Sequence, residues 1–439
     1  MKIAWFTPLA KASAIGRCGT AIAAELARTS EVDLWHPPCD DPHPTDVPTR
    51  RFTSPEDIRR ETLAGYDILI YNLGNHLPFH KDIYLLARRF PGICVLHDFV
   101  LHHFFAGYFF ELLRNPEGYV LAMQRHYGDA GRRLAEETVA RKRRGVWESD
   151  EVVEYPLFEE ALEGALGVVT HSEFLRRRVE RVFPGPCRAI PLPYERPAGR
   201  PHSAGRVDLG IPEEAILLVS TGHVNPNKRI HVVIEALSLL GEHRFFYAVL
   251  GLCRGAYAKQ LETQVRRLRL EPRVRFFGEV ADEVLDGFLA GADICVNLRF
   301  PALEGASASA IEQMLHAKPV LVADTGFYSE LPGDCVRRIP AGAGPIEVAA
   351  ALRGLIEKPA ERAALGVRAR TFAESRFRTD LYARELLGFI REAGQTRPLL
   401  GLADRIGAEL SLLGVTAEMR IVETLSRECA ALFSEHRGK

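Results

Sequence analysis

Short apolar runs alternate with longer helical stretches along this chain, and the pattern starts over near its middle. In the first half the runs are Lys2 to Thr7, Val32 to His36, Ile68 to Leu73, Ile93 to His97, Val168 to His171 and Ala189 to Leu192. From about Ala215 the alternation resumes with ILLVSTG, FYAVLGL, VRFFGEV, ICVNL and PVLVAD. Short continuous apolar runs bounded by turn residues suit strands buried on both faces. Parallel strands need crossover helices, so strand–helix–strand order repeated twice predicts two doubly wound α/β domains. Between them PYERPAGRPHSAGRVDLGIP is dense in Pro, Gly and Arg and has no periodicity, which is linker composition. At 439 residues the chain is too long for one ordinary core.

Apolar content of 47% and charged content of 26% are those of a soluble globular protein. Lys and Arg number 56 against 57 Asp and Glu, so nothing points to nucleic acid as a partner. The basic clusters Arg141 to Arg144 and Arg176 to Arg178 read as solvated helix faces, or as docking points for anionic lipid or an anionic acceptor. The eight cysteines are scattered without a Cys-x-x-Cys pair, and Cys94, Cys253 and Cys295 fall inside apolar runs as small core residues. MKIAWFTPL opens on a strand rather than a signal peptide, and no run of about 18 apolar residues occurs. A cytoplasmic enzyme is the expected class.

The most informative stretch is ICVNLRFPALEGASASAIEQMLHAKPVLVADTG, residues 294 to 326. A strand runs into a loop carrying Glu304, a helix opens near Ser307, Glu312 follows, and a second strand closes the β–α–β unit. Loop and helix start then lie at the carboxyl edge of a parallel sheet, where open α/β sheets bind ligands. The small residues Gly305, Ala306, Ser307 and Ala308 let backbone amides approach a ligand, and the helix dipole favours an anion there. Phosphate flanked by two hydroxyl-bearing groups describes a nucleotide sugar. The plainer reading is a capping box over Ser309 to Glu312 with both carboxylates solvated.

EGASASAIEQM resembles the "E, seven residues, E" signature of retaining glycosyltransferases of family 4, which have the GT-B architecture of two Rossmann-like domains facing a cleft. The resemblance implies Glu304 beside the donor sugar, Gly305, Ala306 and Ser307 at the phosphates, and Glu312 on the ribose. STGHVNPNKRI, residues 220 to 230, takes the place of the family's Gly-Arg-Leu-x-x-x-Lys segment. Lys228 falls on the diphosphate-binding lysine, and His223 stands where Arg is usual, with Arg229 next door as a substitute. A turn with an N-cap and a solvated lysine is the simpler reading of the same residues. In TPLAKASAIGRCGT, Gly16 echoes the glycine loop under the donor phosphates, although no G-x-G-x-x-G fingerprint is present. The base is expected to be read by backbone near Phe277, Gly278 and Glu279.

In ICVLHDFVLHHFF, residues 93 to 105, His97 matches the strand-end histidine that the family places near donor sugar and acceptor hydroxyl. Asp98 and His102 are four apart and suit a pair on one helical turn. Asn75 and His76, after another strand, suit sugar-like hydroxyls or an ordinary loop. His97, Asp98 and His102 match no standard zinc spacing and the chain has no Asp-x-Asp motif, so no metal is expected. The aromatic run from Phe99 to Phe110 reads as core, with part of it suited to an apolar acceptor groove or a membrane surface.

The expected organisation is a Rossmann-like acceptor domain over residues 1–195, a linker over 196–210 and a nucleotide-sugar-binding domain over 211–374. By resemblance a helix over 375–394 crosses back to the first domain. The extension 395–439 has two apolar stripes, Leu399, Leu402, Ile406, Leu410 and Leu413, then Ile421, Val422, Leu425, Cys429 and Leu432. These stripes need cover from the same chain or from a second subunit in a homodimer. The implied activity is metal-independent transfer of a sugar from a UDP- or GDP-type donor to an acceptor hydroxyl, with no cofactor. A GT-B epimerase or phosphorylase, or a catalytically idle partner subunit, are the alternatives.

Overall fold

In the computed structural model the described residues are 1–194, 210–241 and 243–395, together with 406, 407, 410, 412–415, 419–422, 424, 425, 427 and 428. Seven strands form one parallel sheet: β1 (Lys2–Phe6), β2 (Glu31–His36), β3 (Thr49–Arg51), β4 (Ile68–Leu73), β5 (Ile93–Leu96), β6 (Gly167–Thr170) and β7 (Cys187–Ala189). Their order is β3-β2-β1-β4-β5-β6-β7. Six more strands form a second parallel sheet: β8 (Ile216–Thr221), β9 (Phe245–Leu250), β10 (Val274–Gly278), β11 (Ile294–Asn297), β12 (Val320–Ala323) and β13 (Arg337–Ile339). These run β10-β9-β8-β11-β12-β13. In each sheet the order reverses at the first strand, since β1 lies between β2 and β4 and β8 between β9 and β11. Such a switch point opens a crevice at the carboxyl ends of the strands.

The central strands are buried at every position because helices cover both faces. Each sheet accordingly separates two hydrophobic clusters. The helix Thr379–Gly394 belongs to the first domain by its packing, although it follows the second in sequence. Its stripe of Tyr382, Leu386, Phe389, Ile390 and Ala393 lies among Ile3, Trp5, Ile22 and Leu26. Arg188 of β7 fastens it by an ion pair of 2.6 Å to Glu392.

Strand β7 covers Cys187–Ala189 rather than Ala189 to Leu192, and β3 and β13 were not anticipated. All three are three-residue edge strands in which Arg takes at least one position, a composition that protects sheet edges and leaves no apolar signal. The expected linker lies outside the described residues except for Gly210, as do Leu399, Leu402, Cys429 and Leu432 of the C-terminal stripes. Among the described residues no helix is long and apolar enough to cross a membrane.

Gly16 lies in the helix Ala14–Leu26 where it passes the loop after β1, and a Cβ there would meet the Pro8 carbonyl oxygen at 2.2 Å. Backbone cannot yield as a flexible side chain does, so Gly16→Ala is expected to destabilise the protein by about 1–3 kcal/mol. A urea midpoint lowered at constant slope in equilibrium unfolding checks this.

Candidate active site

Strands β8 and β11 are neighbours, so the loops leaving their carboxyl ends face one another. After β8 the chain makes a single turn at Pro226–Lys228, and Arg229 takes a left-handed conformation before the helix Ile230–Ser238. The turn folds Lys228 inward, where it is only 7% exposed, and its ammonium donates to the Thr221 carbonyl. A polar ladder supports that strand end. Asn297 Nδ2 donates to Gln313 Oε1 at 3.0 Å, and Gln313 Nε2 donates to the Thr221 hydroxyl at 3.1 Å. Burial holds the Lys228 ammonium well below the ordinary lysine value; Arg299 adds to the shift and Glu304 opposes it.

After β11 the loop brings Glu304 against two donors. Its Oε1 accepts from the Tyr328 hydroxyl at 2.6 Å and pairs with Arg299 Nε at 3.0 Å. Ser307 caps the helix Ala308–Leu315 by accepting from the Ala310 amide, so the Ala308 and Ser309 amides remain as first-turn donors. Further along, Glu312 hydrogen-bonds with Tyr194, and burial raises its carboxyl above the usual range against the pull of that bond. The plain capping box over Ser309 to Glu312 is not what forms, because Ser307 is the cap.

The first domain meets this loop at the end of β5. Phe99 and Val100 amides both donate to the Leu303 carbonyl at 2.9 Å, and the Gly305 amide donates to the His97 carbonyl at 2.9 Å. Asp98 and Glu304 pair across the contact like residues of two antiparallel strands. A Cβ on Gly305 would lie 2.7 Å from the His97 carbonyl oxygen, so this approach requires glycine. Burial pushes the Asp98 carboxyl up to about 7; a 2.7 Å hydrogen bond from the Asn75 amide opposes the shift and Glu304 adds to it.

His97 is buried, with Nε2 2.9 Å from Asn72 Oδ1 and Nδ1 3.0 Å from His171 Nε2. Burial holds its imidazole well below the ordinary range, with His171 and His80 acting the same way, so it is neutral at pH 7. Both ring nitrogens are occupied inside the first domain.

Several of the residues singled out from the sequence are engaged by other parts of the chain. The Gly305 amide is not free for a phosphate, because the domain contact uses it. Gly16 donates to Ser13 Oγ at 3.1 Å, which makes it part of a helix cap. Arg229 turns away from Lys228: its Nη2 donates to the Gly342 and Ala343 carbonyls and its guanidinium lies over Phe300. His223 stands exposed on the loop. Asp98 and His102 do not pair, since His102 is enclosed by the Tyr155 carbonyl and the Tyr119 hydroxyl. Asn75 caps the neighbouring helix by accepting from the Phe104 amide, while His76 is exposed beside Phe79. Gly278 ends β10, and its carbonyl accepts from Gly251 at 2.7 Å. Among the described residues no three His, Cys, Asp or Glu are placed to hold a metal. Arg299, Tyr328 and Tyr194 were missed. Arg299 had a readable signal, a cation directly at the end of an apolar strand, whereas the two tyrosines reach the site from other elements.

Two parallel-sheet Rossmann-like domains, touching at the carboxyl ends of their strands and spanned by a returning helix, define the GT-B class. Residues 203–372, in the second domain, match the family described as Glycosyl transferases group 1. It is 29% identical over 218 residues to D-inositol 3-phosphate glycosyltransferase of Streptomyces avermitilis, covering 47% of this chain and 45% of that protein. The protein of the same name from Kineococcus radiotolerans is 29% identical over 266 residues, covering 54% of this chain and 60% of its own length. The chain thus spans about half the length of the curated relatives it matches. Among solved structures, Anabaena Alr3699/HepE in complex with UDP and glucose superposes with a TM-score of 0.63 at 19% identity, over 89% of this chain and 99% of that one. Sucrose-phosphate synthase from Thermosynechococcus elongatus gives 0.60 at 18% identity, over 89% and 98%. At such identities the likeness is one of fold.

The Asp98 carboxyl has a measurable consequence. Its folded value of about 7 lies above its ordinary 3.8, so between those pH values the folded state keeps a proton that the unfolded state has lost. The resulting stability is complete below the ordinary value and is lost as pH rises through the folded one. Asp98→Asn should remove this component, at most about 1.4 kcal/mol per pH unit. Urea unfolding of both proteins from pH 4 to 8 checks it, with the variant gaining relative to wild type as pH rises.

Proposed function

We propose that this protein transfers a glycosyl group from a nucleoside diphosphate sugar, of the UDP or GDP type, to an acceptor hydroxyl with retention at the anomeric carbon. The observation that carries this reading is the buried Lys228 ammonium between the ends of β8 and β11, beside the loop that bears Glu304. An enclosed cation next to a helix start suits a diphosphate leaving group, whose charge grows as the glycosidic bond breaks. The free first-turn amides of Ala308 and Ser309 extend the anion site beyond Ala306 and Ser307. Glu312, one helical turn further on, suits ribose hydroxyls, and the backbone at Gly278, the end of β10, suits a base. Glu304, at the seam between the domains, suits the donor sugar. His97, neutral and fixed by Asn72 and His171, shapes the floor of the first domain's side. UDP-glucose is the first donor to test, because an Anabaena Alr3699/HepE structure holds it on this fold. Seven described cysteines are free, in keeping with a cytoplasmic setting.

Lys228→Ala should weaken nucleoside diphosphate binding by about 1.5–3 kcal/mol, the scale of a charge-assisted hydrogen bond, in calorimetric titration. The two carboxylates should differ in kinetics. Glu312→Ala should chiefly raise the donor KM, since ribose is held alike in ground and transition states. Glu304→Gln should depress kcat, because charge develops at the sugar during transfer. Diphosphate release with an acceptor, and none without transfer to it, separates a transferase from an epimerase, a phosphorylase or an idle subunit.

The C-terminal extension supports an oligomer. Among its described residues Leu412, Leu413 and Ile421 are 82%, 78% and 49% exposed. We propose that this segment pairs with its counterpart in a two-fold homodimer. Light scattering should give a dimer for the full chain and a monomer after truncation at Gly394.

A further inference from the structure

Two cations are buried together in the cleft, and among the described residues one carboxylate, Glu304, answers them. Lys228 and Arg299 are each 7% exposed, and they lie close enough for the guanidinium to disfavour charge on the ammonium. Glu304 pairs with Arg299, while the Lys228 ammonium has a neutral carbonyl as its partner. A buried charge without a counter-charge is costly, so the balance points to an anion that completes the site when bound.

The geometry of Arg299 shows how it would take part. It leaves the end of β11, beside β8 and its Lys228 turn. Its Nε is held by Glu304 at 3.0 Å, and its Nη1 donates to the Leu298 carbonyl at 2.9 Å. Two edges of the planar fork are thereby fixed, and Nη2 has no hydrogen-bond partner among the described residues. The other candidates for a second cation stand elsewhere: His223 is exposed, and Arg229 is spent on the Gly342 and Ala343 carbonyls.

We propose that Arg299, oriented by Glu304, is the second cation that holds the donor diphosphate beside Lys228. This rests on the nucleotide-sugar reading given above and assigns that site a residue which the motif comparison does not supply. Glu304 thereby gains a positioning role, since its carboxylate aims the guanidinium and the two act as one unit.

Calorimetric titration of the full chain with UDP, GDP, and the corresponding nucleosides tests it. Arg299→Gln should weaken binding of the preferred diphosphate at least tenfold and leave nucleoside binding within twofold. Arg299→Lys, which keeps the charge and loses the fork, should fall between wild type and Arg299→Gln, and it carries the test if the glutamine variant does not fold. Glu304→Gln should weaken diphosphate binding as well, with little added effect once Arg299 is replaced. Diphosphate affinity within twofold of wild type in both Arg299 variants would overturn the inference and leave the nucleotide-sugar reading standing. So would a larger loss from His223→Ala than from Arg299→Gln. A wild-type chain that binds neither diphosphate would overturn both.

Discussion

Three backbone hydrogen bonds between residues 97–100 and 303–305 hold the two halves of the site together. Strand ends of one domain and a loop of the other thereby behave like the edge of a small sheet. Their formation depends on Gly305, whose missing Cβ lets the two backbones meet. The charged groups of the site gather around this seam: Asp98 and Glu304 face each other across it, and Arg299 and Tyr328 converge on Glu304 from the second domain.

The seam also explains the electrostatics. Enclosing Asp98 beside Glu304 raises its carboxyl, and enclosing Lys228 beside Arg299 lowers its ammonium. In both cases burial is the larger cause and the neighbouring like charge the smaller. The ladder of Asn297, Gln313 and Thr221 joins the ends of β8 and β11 beside these charges.

The first domain contributes differently. Its strand-end histidine is locked between Asn72 and His171, and its aromatic run is packed around His102, Tyr119 and Trp147. These groups form a packed wall behind the Asp98 carboxyl. The helix Thr379–Gly394, at the end of the second domain's own chain, packs on Trp5 and Ile22 of this first domain.

Local pattern was enough for much of this protein. Continuous apolar runs identified the central strands, because strands buried on both faces must be apolar throughout, and the Glu304 loop was legible because spacing along one β–α–β unit is a property of sequence. Edge strands escaped, since three residues rich in Arg carry no burial signal. What only the tertiary structure decided was the direction of each charged side chain. Arg229 and Lys228 are adjacent in sequence, yet a left-handed residue between turn and helix sends one to the Gly342 and Ala343 carbonyls and the other into the cleft. Arg299 drew no attention in the sequence, and only the fold sets Glu304 against its Nε. His102 was expected to pair with Asp98, and in the fold the Tyr119 hydroxyl and the Tyr155 carbonyl enclose it instead. Partners distant in the chain set these outcomes, and hydrogen bonding over such separations leaves no periodicity for a sequence to display.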